Sequence, residues 1–219
     1  MTHRTSSESG QAAPIYITMV AGLLFLALAF FAVGQAGATR NDAQAAADAA
    51  ALAAAQESRD LFRDGLLGGL LDPGFLNDIF NGHPVGTGNG CQAATRFADQ
   101  NGADVMPGQC SQLADGRWGF TVRVVSQEPM GDSILPGTED EYAEARATAI
   151  VEPRCSFSPA EDEQQPPADG DEPENPDDAE PVSPGTLDCG DGLIWDIDPE
   201  HLDLLPDMAD LFSVRLAQD

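Results

Sequence analysis

The chain has 219 residues and a formal net charge of −27 at neutral pH. Beyond residue 40 it holds 36 acidic residues against eight arginines, and it contains no lysine. Such a negative field repels nucleic acid and anionic lipid head groups, so the composition excludes a nucleic-acid partner. The same charge keeps an exported domain soluble.

A short polar tail, residues 1–14, precedes an uncharged apolar run over residues 15–33. As a helix this run is about 28 Å long, close to the ~30 Å hydrocarbon core of a bilayer. It predicts one transmembrane helix. The acids and cysteines that follow predict a cytoplasmic N-terminus and an extracytoplasmic C-terminal part. The alternative is a secretory signal cleaved after Ala36-Gly37-Ala38, where the small residues fit a cleavage site.

The alanine-rich residues 34–64 predict an extension of that helix beyond the membrane. Alanine is the best helix former, so a continuous helix from Ile15 to Arg63, about 75 Å long, is expected. Its small apolar side chains recur at helical spacing and permit close approach of another helix or sheet. Asp48 is the one acid that we expect either to contact an arginine of a neighbouring helix or to face water. The residues at helical spacing on this apolar face are Ala43, Ala46, Ala47, Ala50, Ala53, Ala54 and Phe62. The predicted packing seam consists of Ala43, Ala46, Ala47, Ala50 and Ala54, together with Asp48.

Glycines and prolines dominate residues 65–90, which predict a glycine-rich loop with one short helical turn at residues 75–80. His83 precedes a proline in this loop and is expected to face solvent rather than a metal ion.

Residues 91–155 predict a compact extracytoplasmic α+β domain. An amphipathic pattern over residues 92–100 indicates a helix, and alternation over residues 118–125 and 143–151 indicates two strands joined through a loop. A helix over a small antiparallel sheet, following the long N-terminal helix, is the simplest arrangement.

Four cysteines lie on the same side of the apolar run: Cys91, Cys110, Cys155 and Cys189. An even count without zinc-site spacing predicts two disulfides in an oxidising compartment. Three pairings are possible, and we favour Cys91–Cys110 with Cys155–Cys189 because these partners are nearest in sequence.

Residues 156–186 are acidic and proline-rich, which predicts a disordered linker because so polar a segment cannot offset its ordering entropy. Order is expected to return over residues 187–219, which pack on the domain. There, residues 193–197 and 212–216 predict strands, and Asp198-Pro199 predicts a helix start.

The sequence carries no catalytic motif, so no enzyme and no cofactor are predicted. Asp188, Asp191, Asp196 and Asp198 lack the spacing of a calcium loop and are interpreted as acidic turns, without a metal site. The acidic cluster at residues 139–144 is interpreted as a solvated face.

The apolar helix that runs into Gln44-Ala45-Ala46-Ala47-Asp48-Ala49-Ala50-Ala51-Leu52-Ala53 resembles the N-terminal region of TadE/TadG-like proteins of Flp (tight-adherence) pilus assembly. The lead-in Gly10-Gln11-Ala12-Ala13-Pro14 resembles the start of this family in high-GC Gram-positive bacteria. The match covers roughly residues 10–56. Prepilin-like members carry a glutamate five residues after the cleaved glycine, whereas counting from Gly10 gives Ile15, so the resemblance is closer to the unprocessed TadG type.

The resemblance implies a single-pass, membrane-anchored accessory protein with a structural role in Flp/Tad pilus assembly. Its partners would be the membrane and other Tad/Flp assembly proteins, met through the N-terminal helix. The alternative function is a secreted or anchored acidic binding module for calcium, a basic partner or a cell-wall polymer.

Overall fold

The computed structural model describes residues 12–82, 89–129, 140–160, 182–190 and 192–217. It begins with α1, a helix of 50 residues spanning Ala12–Leu61. The predicted continuous helix is therefore present, and it corresponds to a length of about 75 Å. The helix continues through Gly34 and Gly37 without a break.

Four antiparallel strands form the main sheet in the order β1-β2-β3-β7. They are β1 (Ala103–Gln112), β2 (Gly119–Pro129), β3 (Tyr142–Pro153) and β7 (Phe212–Leu216). The register pairs Phe120 with Ala149 and Val122 with Ala147, so large and small apolar side chains lie together on one face. The predicted α+β fold is thus confirmed, with the C-terminal strand completing the sheet beside β3.

The strand β1 was not expected from the sequence. Its pairing with β2 shifts between Val105 and Cys110, and Gly108 within that interval adopts a positive φ of 70°. A bulge of this kind breaks the alternation of apolar and polar residues by which a strand is recognised in sequence.

The prediction of a loop over residues 65–90 is corrected by the structure for residues 65–74, whereas the short helical turn predicted at residues 75–80 is present within a longer helix. The two helices here are α2 (Arg63–Gly69) and α3 (Pro73–Phe80). The side chain of Asp72 accepts hydrogen bonds from the backbone N–H groups of Gly74 and Phe75, and Pro73 stands at the first helical position. These are favourable helix-start features, and the burial of Leu66 and Leu76 against the core stabilises both short helices.

The helix α4 (Cys91–Gln100) confirms the helix predicted over residues 92–100. It lies beside α1. A second sheet joins β4 (Ser156–Pro159), β5 (Gly185–Asp188) and β6 (Ile194–Asp196), all antiparallel. The predicted linker over residues 156–186 therefore contributes a strand at each of its ends.

The predicted helix start at Asp198-Pro199 is wrong. The Asp198 carboxylate accepts a hydrogen bond from the Glu200 N–H within a turn. A 3₁₀ turn over Leu202–Leu204 follows, and the short helix α5 (Met208–Leu211) begins only beyond Pro206. Proline cannot donate the backbone hydrogen bond that a continuing helix requires, so the regular helix cannot run through this position.

The outer edge of β4 is closed by one side chain. Asn81 donates through Nδ2 to the Phe157 carbonyl at 2.8 Å and accepts through Oδ1 from the Phe157 N–H at 3.0 Å. Both backbone groups of an edge residue are thereby satisfied, which removes them as a template for another strand.

Two disulfides fix the domain, Cys91–Cys110 and Cys155–Cys189. The first joins the start of α4 to β1. The second joins the beginning of the β4–β5 pair to its end. The structure thus contains the two favoured disulfides, each of which joins cysteines that are neighbours in the sequence order of the four.

Several sequence expectations concern parts of the chain outside the described residues. They are the first eleven residues of the tail, His83, the loop at residues 130–139 with Glu139, the acidic segment at residues 161–181, and Asp191.

Candidate functional site

The helix α1 presents two surfaces of different character, and the first is apolar and exposed. Residues Ala13–Phe31 are long and apolar enough to cross a membrane, and none of this window is buried against the rest of the described chain. Phe30 is 75 % exposed and Tyr16 is 71 % exposed. A soluble surface rarely exposes so large a contiguous apolar area, so this half requires lipid or other apolar partners.

One polar side chain within the apolar half is satisfied inside the helix. The Thr18 hydroxyl donates to the Ile15 carbonyl at 2.9 Å. A threonine bonded in this way carries no unsatisfied donor into hydrocarbon, so it is compatible with a membrane span.

The second surface is the alanine seam, here Ala43, Ala46, Ala47, Ala50 and Ala54, and it is buried within the chain. Strands β2, β3 and β7 and the helix α4 pack on this half of α1. The side chains of Ala46, Ala47, Ala50 and Ala54 have no exposed surface. The chain's own sheet and α4 therefore occupy the surface that was expected to permit close approach of another helix or sheet.

The approach of α4 to α1 depends on small residues on both sides. A Cβ added to Gly90, at the N-cap of α4, would lie 1.8 Å from the Ala54 carbonyl oxygen. Gly90 has an ordinary negative φ of −92°, so the glycine is needed here for space rather than for backbone conformation.

Asp48 lies at the margin of the seam and is half-buried. Its Oδ1 accepts a hydrogen bond from Gln44 Nε2 at 2.8 Å, one helical turn earlier. The same Gln44 nitrogen donates to the Arg146 carbonyl of β3 at 3.2 Å. The structure thus places Asp48 in a small polar contact between α1 and the sheet, and the group that it meets is an amide rather than an arginine.

The far end of α1 is held by contacts that sequence reasoning did not identify. Trp118 donates through Nε1 to the buried Ser58 hydroxyl oxygen at 2.9 Å. The Trp118 ring also packs edge-on against Phe62 and Phe212, and Phe212 stacks on Phe80. Four buried aromatic residues that are widely separated in sequence therefore pack together where α1 ends. No local sequence pattern indicates this contact.

Three exposed ion pairs shift the pKa values of their own groups. The Arg215 guanidinium bonds both Glu152 carboxylate oxygens at 2.7 Å and lowers the pKa of Glu152. A hydrogen bond from Arg117 likewise lowers the pKa of Asp115. Asp198 accepts a hydrogen bond from His201 Nδ1 at 2.8 Å, which raises the pKa of His201. All three pairs are exposed, so water weakens each of them.

The aspartates of the acidic turns accept hydrogen bonds from nearby backbone N–H groups. Asp188 accepts a hydrogen bond from the Gly190 N–H, and Asp198 bonds within its own turn. In the part of the chain that the structure describes, no group of three histidine, cysteine, aspartate or glutamate side chains is arranged to hold a metal ion.

Comparison with known proteins gives one result for this helix. Neither the curated proteins nor the solved structures gave a significant match. The model of a family described as "Putative Flp pilus-assembly TadE/G-like" matches residues 10–57, less than a quarter of the chain. The match covers the apolar half of α1 and the whole alanine seam, so this chain is similar to TadE/G-like pilus-assembly proteins over its long helix.

Proposed function

We propose that this protein is a single-pass membrane-anchored accessory protein of Flp/Tad pilus assembly with a structural, non-catalytic role. The observation that carries the proposal is that the first half of one helix is long and apolar enough to cross a membrane while its second half is the core helix of the folded domain, and that the family match covers this helix. The N-terminus lies in the cytoplasm, and the disulfide-bonded domain lies outside.

The continuity of α1 supports a structural role because it leaves no flexible linker between membrane and domain. About ten residues, or ~15 Å of helix, separate the end of the apolar run from the first buried alanine, Ala43. The domain is therefore held at a fixed height above the bilayer, and a force applied to it is transmitted directly to the span.

The surface left for partners in the membrane is the apolar half of α1. The alanine seam is covered by the chain's own sheet, so other assembly proteins meet the helix through residues 13–31. Lipid-exposed side chains such as Phe25 and Phe30 are available there. Helix association in lipid depends on close packing rather than on the hydrophobic effect, so the shape of this surface determines the partner.

Membrane attachment is tested by placing one charge in the span. We expect the change Leu24→Arg to reduce recovery in the washed membrane fraction sharply, because an arginine at the bilayer centre is costly. The matched control Gln92→Arg adds the same charge on an exposed residue of α4 and leaves recovery unchanged. Equal membrane recovery of both variants contradicts the anchor.

The role in pilus assembly is tested on the full chain in its own cell. Affinity purification from detergent-solubilised membranes is expected to recover other Tad/Flp assembly proteins, and deletion of the protein is expected to impair pilus assembly. Normal pili after deletion, together with no co-purified assembly protein, would refute the proposal.

Processing is tested by intact mass and N-terminal sequencing of the membrane-bound protein. A chain that retains residues 1–10 supports the unprocessed anchor. A chain that starts at Gln11 contradicts it and indicates a pilin-like subunit, and secreted protein starting near Thr39 indicates a released binding domain.

A further inference from the structure

The outer face of the main sheet holds a large share of the arginines of a strongly acidic protein, beside acids such as Glu144 and Glu152. The sequence has ten basic side chains, all arginines. The strand register places Arg123, Arg146 and Arg215 on the face of the sheet opposite to α1. Arg117 stands in the turn before β2 and is close enough to Arg215 for the two charges to interact. Four of the ten arginines therefore lie on or beside this one face.

Two of these arginines stand directly opposite each other. Arg123 of β2 pairs with Arg146 of β3 in the antiparallel register. The Val151 N–H donates to the Trp118 carbonyl at 2.8 Å, which places Arg123 and Arg146 at a non-hydrogen-bonded pair. Side chains are closest at such pairs, with Cβ atoms about 4.5–5.5 Å apart. The adjacent Thr121 and Thr148 show the same proximity, because their hydroxyl oxygens are 2.9 Å apart.

Neither arginine of this pair forms an ion pair with a described residue, and the two acids nearest to them on this face, Asp104 and Glu144, stand opposite Val125. Arg117 and Arg215 each have an acidic partner, Asp115 and Glu152, whereas no described acid forms an ion pair with Arg123 or Arg146. Glu144 lies on the same face two residues before Arg146, yet no ion pair joins them in the described chain. Like charges directly opposite one another destabilise a sheet. An anion placed between the two guanidiniums removes this cost.

The pair is also held on a rigid support. The Arg146 carbonyl, which lies beyond the end of β7, accepts a hydrogen bond from Gln44 of α1. Both arginine side chains are exposed, and half-buried Thr121 and Val125 flank them on β2. Two arginines at directly opposite positions of a fixed sheet can receive one carboxylate, because each guanidinium can donate paired hydrogen bonds to it.

We propose that this face, defined by Arg123, Arg146, Thr121 and Val125, docks a second protein that inserts one acidic side chain between Arg123 and Arg146. The inference deepens the proposed function and rests on it, because it assigns the surface by which the extracytoplasmic domain meets another assembly protein. The net charge of −27 repels a polyanion such as a phosphate polymer, and it also opposes a second copy of this chain. A partner surface that is neutral or basic around a single acid fits both the local pair and the surrounding field.

The test places a photo-crosslinking phenylalanine analogue at Thr121 in the full chain in its own cell. We expect an adduct with one protein. The double change Arg123→Glu and Arg146→Glu is expected to reduce the adduct about tenfold or more, as loss of an arginine hot spot does. The matched control is Arg96→Glu, which reverses an exposed arginine of α4 and should leave the adduct unchanged. A second double variant, Arg123→Gln and Arg146→Gln, removes both charges without reversing them. A thermal melt of each double variant shows whether a loss of the adduct is due to misfolding.

The deciding step is a charge exchange. The crosslinked peptide locates the acid of the partner, and its change to arginine is expected to abolish the adduct with the wild-type chain and to restore it with the double glutamate variant. An adduct that survives charge reversal overturns the inference, as does an adduct with a polymer or with a second copy. Where co-purification and pilus assembly persist although the adduct is absent, this inference fails and the proposed function stands. Normal pili after deletion of the protein, together with no co-purified assembly protein, indicate that the proposed function itself is wrong.

Discussion

The two halves of α1 share one backbone conformation and one continuous hydrogen-bonded helix, yet their surfaces serve opposite purposes. In the first half, large side chains such as Phe25 and Leu26 are exposed. In the second half, small side chains such as Ala46 and Ala50 are completely buried. The more hydrophobic half is thus the exposed one, which is the reverse of the order in a soluble protein.

Side-chain size explains the reversal. Lipid is an apolar solvent, so large side chains gain nothing from leaving it for the protein interior. Alanine adds little hydrophobic free energy, but it allows sheet and helix backbones to approach closely. The seam therefore contributes through shape, whereas the span contributes through hydrophobicity. The two contributions predict different responses to the same substitution.

The largest effect is expected when an alanine of the seam is enlarged. The change Ala50→Leu forces a bulky side chain between α1 and the sheet, so the free energy of unfolding should fall by about 3 kcal/mol. Urea titration in detergent, followed by tryptophan fluorescence, measures it because Trp118 is buried beside α1. The control Ala27→Leu enlarges an exposed alanine of the span and should leave the domain unaffected. Equal effects of the two changes would contradict the proposed difference between the halves.

A somewhat smaller effect is expected at the contact between α4 and α1. The change Gly90→Ala introduces a Cβ that meets the Ala54 carbonyl, so α4 must shift, at about 2 kcal/mol. Gly68→Ala is the control because a Cβ there meets nothing within 4 Å, and alanine improves helix propensity. The same urea titration compares them. Stability equal to wild type for both variants would show that the close approach is unimportant.

The hydrogen bond at the far end of α1 is expected to contribute less. The change Ser58→Ala removes the acceptor of the buried Trp118 Nε1–H, which should lower the free energy of unfolding by about 1–2 kcal/mol. Ser111→Ala, at an exposed serine of β1, is the control and should have no measurable effect. A blue shift or loss of intensity in Trp118 emission without a change in stability would contradict the expected cost.

The smallest effect is expected at the exposed Glu152–Arg215 pair. Because Arg215 lowers the pKa of Glu152, the pair stabilises the folded state above the ordinary glutamate pKa of about 4.5, and this contribution disappears as pH falls through the lower folded-state pKa. The melting temperatures of wild type and Glu152→Gln should therefore differ slightly at pH 7, and the difference should shrink as the pH falls below 4.5. A difference in melting temperature that grows as the pH falls would contradict the expected stabilisation by the ionised Glu152–Arg215 pair.

Much of the fold could be predicted from local patterns. The apolar run, the alanine-rich extension, α4 and the strands at β2, β3 and β7 follow from periodicity and propensity, which depend on neighbouring residues. Features that depend on distant residues were missed. β1 was not recognised because its bulge interrupts the alternation of apolar and polar residues. α2 and the first turn of α3 were not recognised because glycines surround the buried leucines that only the core stabilises, whereas the rest of α3 was predicted as a helical turn.

Local sequence patterns are enough to predict a single apolar helix that continues into an alanine-rich helix with a small apolar face. Hydrophobicity and helix propensity are local properties, so no tertiary information is needed. The folded structure is required to learn that the chain's own sheet and α4 cover this face, that Trp118 bonds to Ser58, and that Arg123 stands opposite Arg146. These outcomes depend on strand register and on contacts between residues far apart in sequence, and local patterns do not encode which distant segment fills a given surface.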